Sequence, residues 1–277
     1  MPQSPSFEEM TRLPIVYSIP GMDRTSVRRD VVYKTAGGTR THDQTSLLMD
    51  VYSPGGSEKT RLPAVVLIHG GPVPNARPKD WGVFMSYGRL LAASGFAAVT
   101  FNHGFSGPER LLDAAADVDG AIAHVRANAD GLGIDPDRIA LWAFSGGGPF
   151  LSAAMRDRPP FVRALVAFYA ILDLRAKPPG ASAAVTDEMR RDFSPLVHLG
   201  AEGTGIAPIF IARAGLDHPL LNGPLDRFVQ EALARNLTLE VMNHATGRHG
   251  FDILDDDARS REIIARTLDF LKARLQE

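Results

Sequence analysis

The chain of 277 residues contains no cysteine. Disulfide scaffolds, thiolate metal sites and cysteine nucleophiles are therefore excluded. Charge of one sign is also missing, because 30 Lys and Arg nearly balance 32 Asp and Glu, which leaves a net charge of −2. This balance gives no electrostatic basis for binding nucleic acid or an anionic membrane, so we expect neither as a partner.

The sequence has no long apolar run. The longest one, residues 164–172, is about half as long as a membrane-spanning helix. The first ten residues include two Glu and two Pro but no Lys or Arg, unlike the basic start of a secretory leader. These features predict a cytoplasmic protein.

Apolar segments of two lengths alternate along the chain, whose hydrophobic fraction is 44%. The short segments are typical of strands buried on both faces, and the longer ones of helices that pack on a core. Such alternation predicts one α/β domain over residues 1–277, with a mostly parallel sheet and helices on both faces. The predicted strands span 31–34, 47–52, 64–68, 96–101, 138–144, 164–169, 208–213 and 237–242, and the first two form an antiparallel start to the sheet. The predicted helices span 81–94, 111–129, 147–156, 224–236 and 258–274.

Two stretches interrupt the alternation. Residues 1–25 are polar and Pro-rich, and we interpret them as an N-terminal arm that packs on the body or extends from it. The arm makes a homodimer possible, since it could reach a partner subunit. Residues 173–205 form a long insertion between two strands, which predicts a cap or lid over a site, or a surface excursion.

Ser145 lies between the strand 138–144 and a predicted helix, and Gly146, Gly147 and Gly148 follow it directly. A sharp turn between a strand and a helix, as in the pattern G-x-S-x-G, raises a serine hydroxyl above the sheet and makes it a nucleophile. Here Ala143 replaces the first glycine, and Gly147 supplies the second. The alternative is a Gly-rich turn that only packs tightly or binds phosphate.

A serine nucleophile needs a base, and the base needs a group to orient it. His249 follows the last predicted strand, and Asp217 follows the strand 208–213. Taken singly, such a His is an ordinary loop residue and such an Asp a turn former. Together, the chain order Ser145, Asp217, His249 is the order of an α/β-hydrolase catalytic triad. Asp252 and the acidic run 255–257 are alternative partners for His249, although the run is better placed to cap the last helix.

The loop His69-Gly70-Gly71-Pro72 follows the strand 64–68, at the position that supplies a second oxyanion donor in such folds. Pro72 has no N–H group, so the predicted oxyanion hole has two backbone donors, Gly71 and Gly146. We expect His69 to play a structural role.

The predicted substrate pocket lies at the same rim of the sheet. Its candidate residues are Pro72, His103, Phe105, Phe144 and Phe251.

Two His-containing pairs are candidate metal ligands: His244 with His249, and His218 with Asp217. Their spacing matches no established ligand pattern, so neither a metal nor another cofactor is expected.

Several stretches resemble enzymes of the α/β-hydrolase superfamily, in particular its esterase/lipase group. They include residues 48–54, 63–72, 215–217 and 249–251, and the run Gly-Ile-Asp-Pro-Asp-Arg-Ile at 133–139, which is typical of carboxylesterases. The chain is also similar to prolyl-oligopeptidase-like and dienelactone-hydrolase-like catalytic domains. The latter use a cysteine nucleophile, which this chain lacks, and the former carry a propeller domain, for which this chain has no room.

The resemblance implies an eight-stranded, mostly parallel sheet and a serine carboxylesterase that cleaves small esters through an acyl-enzyme. One alternative is a peptidase or amidase of the prolyl-oligopeptidase-like type. Another is a non-catalytic binding protein with the same fold.

Overall fold

A computed structural model describes residues 5–35, 46–56, 61–74, 76–177, 181–200 and 205–276. Eight strands form one sheet in the order β1-β2-β4-β3-β5-β6-β7-β8. The β1–β2 and β2–β4 pairs are antiparallel and every other pair is parallel, which confirms the predicted sheet. The strands are β1 Ser26–Thr35, β2 Ser46–Ser53, β3 Leu62–Ile68, β4 Ala97–Phe101, β5 Ile134–Phe144, β6 Val162–Phe168, β7 Ile209–Ala214 and β8 Leu239–His244.

Helices cover both faces of the sheet, because the central strands are apolar on both sides. In β5, Leu141 and Ala143 belong to one core cluster, whereas Ala140 and Trp142 belong to the other. This alternation follows from the two-residue period of a strand. In the described part of the chain the helices are α1 Phe7–Arg12, α2 Gly82–Ala93, α3 Leu111–Ala127, α4 Ala129–Leu132, α5 Ser152–Asp157, α6 Asp187–Asp192, α7 Pro219–Ala234, α8 Phe251–Leu254 and α9 Ala258–Leu275.

Two predicted helices begin five residues away from their observed starts. Helix α7 begins at Pro219 rather than at 224, and its cap is the side chain of His218, which accepts a hydrogen bond from the N–H of Leu220. Proline is well tolerated at the first position of a helix, where no N–H is needed. After Ser145 the chain forms a 3₁₀ helix over Ser145–Leu151, and the α-helix α5 begins only at Ser152.

Pro149 prevents a regular α-helix from starting at Ser145. In an α-helix its nitrogen would have to donate to the carbonyl of Ser145, and proline has no N–H group. The carbonyl of Ser145 instead accepts a hydrogen bond from the N–H of Ile171, at 3.0 Å. The turn that carries Ser145 is thereby tied to the loop after β6.

The N-terminal arm packs on the body over its described residues. It contains α1 and a 3₁₀ turn at Met22–Arg24. The N–H of Ile15 donates to Ser86 Oγ in α2 at 3.0 Å, and the N–H of Val16 donates to the carbonyl of Asp252 at 2.8 Å. Whether the arm also contacts a second copy of the chain stays a prediction.

The insertion 173–205 packs against α5 and α7 in its described residues. Asp173 is buried and forms ion pairs with Arg175 and with Arg227 of α7. Leu196 and Leu199 join the core cluster on that face of the sheet. The insertion therefore helps to cover the sheet, and its role as a cap stays a prediction.

In the described ranges, no helix is long and apolar enough to cross a membrane. The cytoplasmic location stays a prediction.

Candidate active site

Ser145 occupies the sharp turn directly after β5, with a left-handed φ of +50°. A non-glycine residue rarely adopts this conformation, and it recurs at the strained strand-to-helix turn of α/β-hydrolase nucleophiles. Gly147 makes the turn possible, because a Cβ there would lie 2.7 Å from the carbonyl oxygens of Ile68 and His69. The predicted glycine thus permits the close approach of the turn to β3.

Asp217 and His249 are brought together by hydrogen bonds between the loops that carry them. The N–H of Gly215 donates to the carbonyl of His244 at 2.8 Å, and the N–H of Leu216 donates to the carbonyl of Gly247 at 2.9 Å. Since β7 and β8 are parallel neighbours, both loops leave the same edge of the sheet. Asp217 and His249 therefore meet there.

The three predicted triad residues form one hydrogen-bonded chain. Asp217 Oδ2 lies 2.6 Å from His249 Nδ1, and His249 Nε2 lies 2.9 Å from Ser145 Oγ. Asp217 Oδ1 accepts the N–H of His218 at 2.7 Å, so both carboxylate oxygens have partners. The Asp217 side chain is 4% exposed and that of His249 is 39% exposed. A buried carboxylate thus orients an imidazole that solvent and a substrate can reach.

Asp252 is not the partner of His249. It is fully buried, and it accepts hydrogen bonds from the hydroxyls of Tyr169 at 2.8 Å and Tyr87 at 2.9 Å. Burial raises the pKa of the Asp252 carboxyl, although the two tyrosine hydrogen bonds act in the opposite direction. The Tyr169 ring lies 4.6 Å from the His249 ring, so Tyr169 lies between the buried Asp252 and the imidazole.

The position of Tyr169 beside His249 was not predicted from the sequence. Its φ is +39°, and its N–H donates to the carbonyl of Ala212 at 2.7 Å. A tyrosine that ends a predicted buried strand indicates packing and nothing more specific. Only the fold brings it next to His249.

The two predicted oxyanion donors lie against each other. A Cβ on Gly146 would lie 2.3 Å from the carbonyl oxygen and 3.1 Å from the nitrogen of Gly71. Gly146 is the second residue of the 3₁₀ helix, so its N–H group has no acceptor within that helix. The backbone of the loop 69–72 and the backbone of the turn at Ser145 therefore border the same space.

His69 and His103 form a buried pair behind the loop. Their rings stack with centroids 3.5 Å apart, and the N–H of His103 donates to His69 Nε2 at 3.3 Å. His69 Nδ1 lies 2.6 Å from the carbonyl of Gly70. Burial lowers the pKa of His69 well below its ordinary value and lowers the pKa of His103 to about 3. Both imidazoles are thus held neutral inside the fold, where they support the loop that carries Gly71.

A cavity of about 290 Å³ opens beside Ser145. Its walls are mainly apolar, and the described residues that line it include no Lys, Arg, Asp or Glu. The lining residues come from helix α1, the loop after β3, the start of α2, the carboxyl ends of β5 and β6, and the segment around α8. The lining residues are Phe7, Met10, Thr11, Gly70, Gly71, Pro72, Val73, Trp81, Val83, Phe84, Phe144, Ser145, Tyr169, His249, Gly250, Ile253 and Leu254.

Two of the five predicted pocket residues, Pro72 and Phe144, line this cavity. The other three, His103, Phe105 and Phe251, are not among the described residues of its wall, and their role in binding a substrate stays a prediction. His103 is buried against His69, and Phe105 packs behind the loop, where a Cβ on Gly71 would meet its ring at 2.9 Å.

Phe251 is fully buried beneath Phe168 and Tyr169. His103, Phe105 and Phe251 all follow strands at the expected rim. Their side chains turn into the core, because aromatic rings gain more from burial than from exposure at the edge.

None of the described residues of the insertion 173–205 line the cavity; helix α1 of the N-terminal arm does. The contribution of α1 was missed, although Phe7, Met10 and Thr11 have the spacing of one helix face. The eight residues between Pro5 and Pro14 are too short a segment to show a helical period.

Throughout the described residues, no group of three or more His, Cys, Asp or Glu side chains is arranged to hold a metal ion. The site brings together a hydroxyl, an imidazole and a carboxylate, and the backbone N–H groups of Gly71 and Gly146 lie beside them. This arrangement is suited to nucleophilic acyl transfer.

Comparisons with known proteins agree on the fold. The BD-FAE family profile matches residues 49–156, which is less than half of the chain. No curated protein matches the chain. A thermophilic esterase from Thermogutta terrifontis, Est2, has a TM-score of 0.71 at 21% identity, over 92% of this chain and 94% of that one.

Two further structures are similar to this chain. Thermogutta terrifontis esterase 2 phosphoramylated by tabun has a TM-score of 0.69 at 21% identity, over 92% of this chain and 94% of that one. A bacterial heroin esterase has a TM-score of 0.74 at 18% identity, over 92% of this chain and 86% of that one. The chain therefore has the α/β-hydrolase fold, as the resemblance in its sequence implied.

Proposed function

We propose that this chain is a serine esterase that cleaves small carboxylic esters through an acyl-enzyme. The observation that carries the proposal is the continuous hydrogen-bonded chain from Asp217 through His249 to Ser145. It is supported by the strained turn at Ser145 and by similar structures that are described as esterases.

In the first half of the reaction, Ser145 Oγ attacks the ester carbonyl carbon while its proton passes to His249 Nε2. The Asp217 carboxylate stabilises the resulting imidazolium through Nδ1–H. The carbonyl oxygen becomes an oxyanion, for which the N–H groups of Gly71 and Gly146 are the donors. Collapse of the tetrahedral intermediate breaks the ester C–O bond, and the proton on His249 leaves with the alcohol.

In the second half, water replaces the alcohol. His249 takes a proton from the water molecule as its oxygen attacks the acyl carbon. The second tetrahedral intermediate breaks the bond to Ser145 Oγ, which regains its proton from His249. The carboxylic acid leaves, and the site returns to its starting state.

The direct test is hydrolysis of 4-nitrophenyl acetate and butyrate. We expect Ser145→Ala to lower kcat by at least about 10⁴-fold, because the nucleophile is lost. Ser152→Ala is the matched control: its buried hydroxyl has no hydrogen-bond partner in the described structure, and we expect nearly unchanged activity. Equal rates for wild type and Ser145→Ala would overturn the proposal.

The same assay distinguishes ester cleavage from amide cleavage. Replacing the esters by 4-nitroanilides of the same acyl groups tests the peptidase or amidase alternative. Faster turnover of the anilides would favour that alternative. Hydrolysis of neither substrate by folded wild-type protein would favour a binding role.

A further inference from the structure

Helix α1 presents one apolar face to the cavity beside Ser145. Met10 and Thr11 lie three and four residues after Phe7, so the three residues share one side of the helix. All three line the cavity, whereas Glu8 and Arg12 form an exposed ion pair elsewhere on the helix. The charged side chains thus lie outside the cavity wall.

The helix forms without burying any of its residues. Ser6 and Glu9 make a capping box, in which Ser6 Oγ accepts the N–H of Glu9 and the N–H of Ser6 donates to Glu9. Capping stabilises short helices that have little tertiary packing. Phe7 remains 57% exposed, although its ring makes an edge-to-face contact with Trp81. The apolar side chains of α1 therefore border the cavity and are left partly uncovered.

The fold fixes the position of α1 through the segment that follows it. A Cβ on Gly82 would lie 2.5 Å from the carbonyl oxygen of Arg12 and 2.6 Å from that of Leu13, so the chain after α1 rests on the start of α2. The hydrogen bonds of Ile15 to Ser86 and of Val16 to Asp252 continue this attachment. Helix α1 is thereby held over the site as part of its wall.

We propose that the face of α1 formed by Phe7 and Met10 determines which substrates the site accepts, and that these are esters with an uncharged, apolar group of limited length. This inference rests on the proposed esterase function. The chemistry of the wall supports the substrate class, since its described residues include no Lys, Arg, Asp or Glu. A volume of about 290 Å³ lies at the lower end of ligand pockets, which favours small groups.

The test is a profile of kcat/KM over two ester series, 4-nitrophenyl esters from acetate to decanoate and acetates of alcohols from ethanol to octanol. We expect Phe7→Ala and Met10→Ala to raise the long-to-short ratio of kcat/KM by about tenfold in at least one series, because each removes part of the wall. Met10→Trp is expected to lower the same ratio by a similar factor.

Glu8→Ala is the matched control, since it alters the same helix away from the cavity, and its profile should equal that of wild type. Unchanged ratios in both series for Phe7→Ala, Met10→Ala and Met10→Trp would overturn the inference while leaving the esterase function intact. If wild-type protein cleaved none of these esters, the proposed function itself would be overturned. Circular dichroism confirms that each variant is folded.

Charge is tested separately with wild-type protein. The 4-nitrophenyl ester of hemisuccinate has an acyl chain as long as butyrate but ends in a carboxylate. Because a carboxylate loses solvation in an apolar cavity, we expect kcat/KM to fall by about 100-fold relative to butyrate. Equal values for the two esters would contradict the preference for uncharged groups.

Discussion

The ring of Tyr169 lies 4.6 Å from the imidazole of His249, at a tilt of 58°. The tyrosine is held from behind by Asp252, which accepts its hydroxyl at 2.8 Å, and its backbone is strained at φ +39°. Backbone strain costs free energy and clusters at functional sites. We therefore expect Tyr169 to position the imidazole of His249.

Tyr169→Phe keeps the ring and removes the hydroxyl. We expect kcat to fall by about tenfold with little change in KM, because the imidazole loses part of its support while the cavity keeps its shape. Stability should fall by about 1–3 kcal/mol, since the buried carboxylate of Asp252 loses one of its two donors. Steady-state kinetics and urea denaturation measure the two effects.

Tyr33→Phe is the control for Tyr169→Phe. Tyr33 is also buried, and its hydroxyl donates to the carbonyl of Asn102 at 2.6 Å. This variant should lose stability with kcat nearly unchanged. Equal losses of kcat in both variants would show that Tyr169 acts only through stability.

Gly146→Ala tests the contact between the turn that carries Ser145 and the loop that carries Gly71. The new methyl group would lie 2.3 Å from the carbonyl oxygen of Gly71, so one of the two backbones must shift. We expect kcat to fall by at least about 100-fold, as when an oxyanion donor is lost. Gly131→Ala is the control, because a Cβ at Gly131 meets nothing within 4 Å. Wild-type kinetics in Gly146→Ala would refute the close approach.

Lys79 provides a prediction about stability. Its side chain is 1% exposed, and its ammonium lies 2.9 Å from the fully buried Asp50 and 2.8 Å from both Asp30 and Asp80. Lys79→Met leaves the Asp50 carboxylate without its closest cation, and we expect the free energy of unfolding to fall by about 3–5 kcal/mol.

Arg77→Met is the comparison for Lys79→Met. Arg77 pairs with Asp30 and Asp80 at 3.0 Å but is 46% exposed. Its loss should cost at most about 1 kcal/mol, because solvent screens exposed pairs. Chemical denaturation measures the unfolding free energy of both variants. Equal losses in Lys79→Met and Arg77→Met would contradict the prediction that the buried ion pair contributes more to stability than the exposed one.

The buried pair His69 and His103 predicts a loss of stability in acid. Burial depresses the pKa of His103 to about 3, so the folded protein keeps this imidazole neutral, whereas the unfolded chain protonates it near its ordinary value of 6.5. The stability from the neutral imidazole is fully present above about pH 6.5 and is lost as the pH falls toward 3.

His103→Gln removes one of the two titrating groups. Between about pH 6 and pH 4, its unfolding free energy should decline less steeply than that of wild type, by up to roughly 1 kcal/mol per pH unit. Urea denaturation at several pH values measures the slopes. Parallel slopes would show that His103 does not contribute to acid sensitivity.

The triad could be predicted because each of its members follows a strand, and parallel strands deliver such residues to one edge of the sheet. That argument needs only the strand order and the chain order. The same argument placed His103, Phe105 and Phe251 at the correct rim but could not give the direction of their side chains, since direction depends on packing between distant elements.

Other features depend on contacts that no local pattern encodes. Helix α1 forms from six residues, and the segment after it is attached to α2 by the hydrogen bond from Ile15 to Ser86, so its place over the cavity follows only from tertiary structure. The 3₁₀ helix at Ser145 was open to prediction, because Pro149 removes the N–H that an α-helix would need there. The acceptor left free by that change, the carbonyl of Ser145, finds its partner in Ile171 across the sheet edge.

Covalent trapping measures most directly whether Ser145 is an activated nucleophile. Folded wild-type protein is incubated with a fluorophosphonate, and the adduct is located by intact-mass and peptide mass spectrometry. We predict a single adduct on Ser145, formed at least about 1,000-fold more slowly in His249→Ala because the base that takes the hydroxyl proton is absent. Folded wild-type protein that forms no adduct, or forms one elsewhere with Ser145 unmodified, would contradict the account.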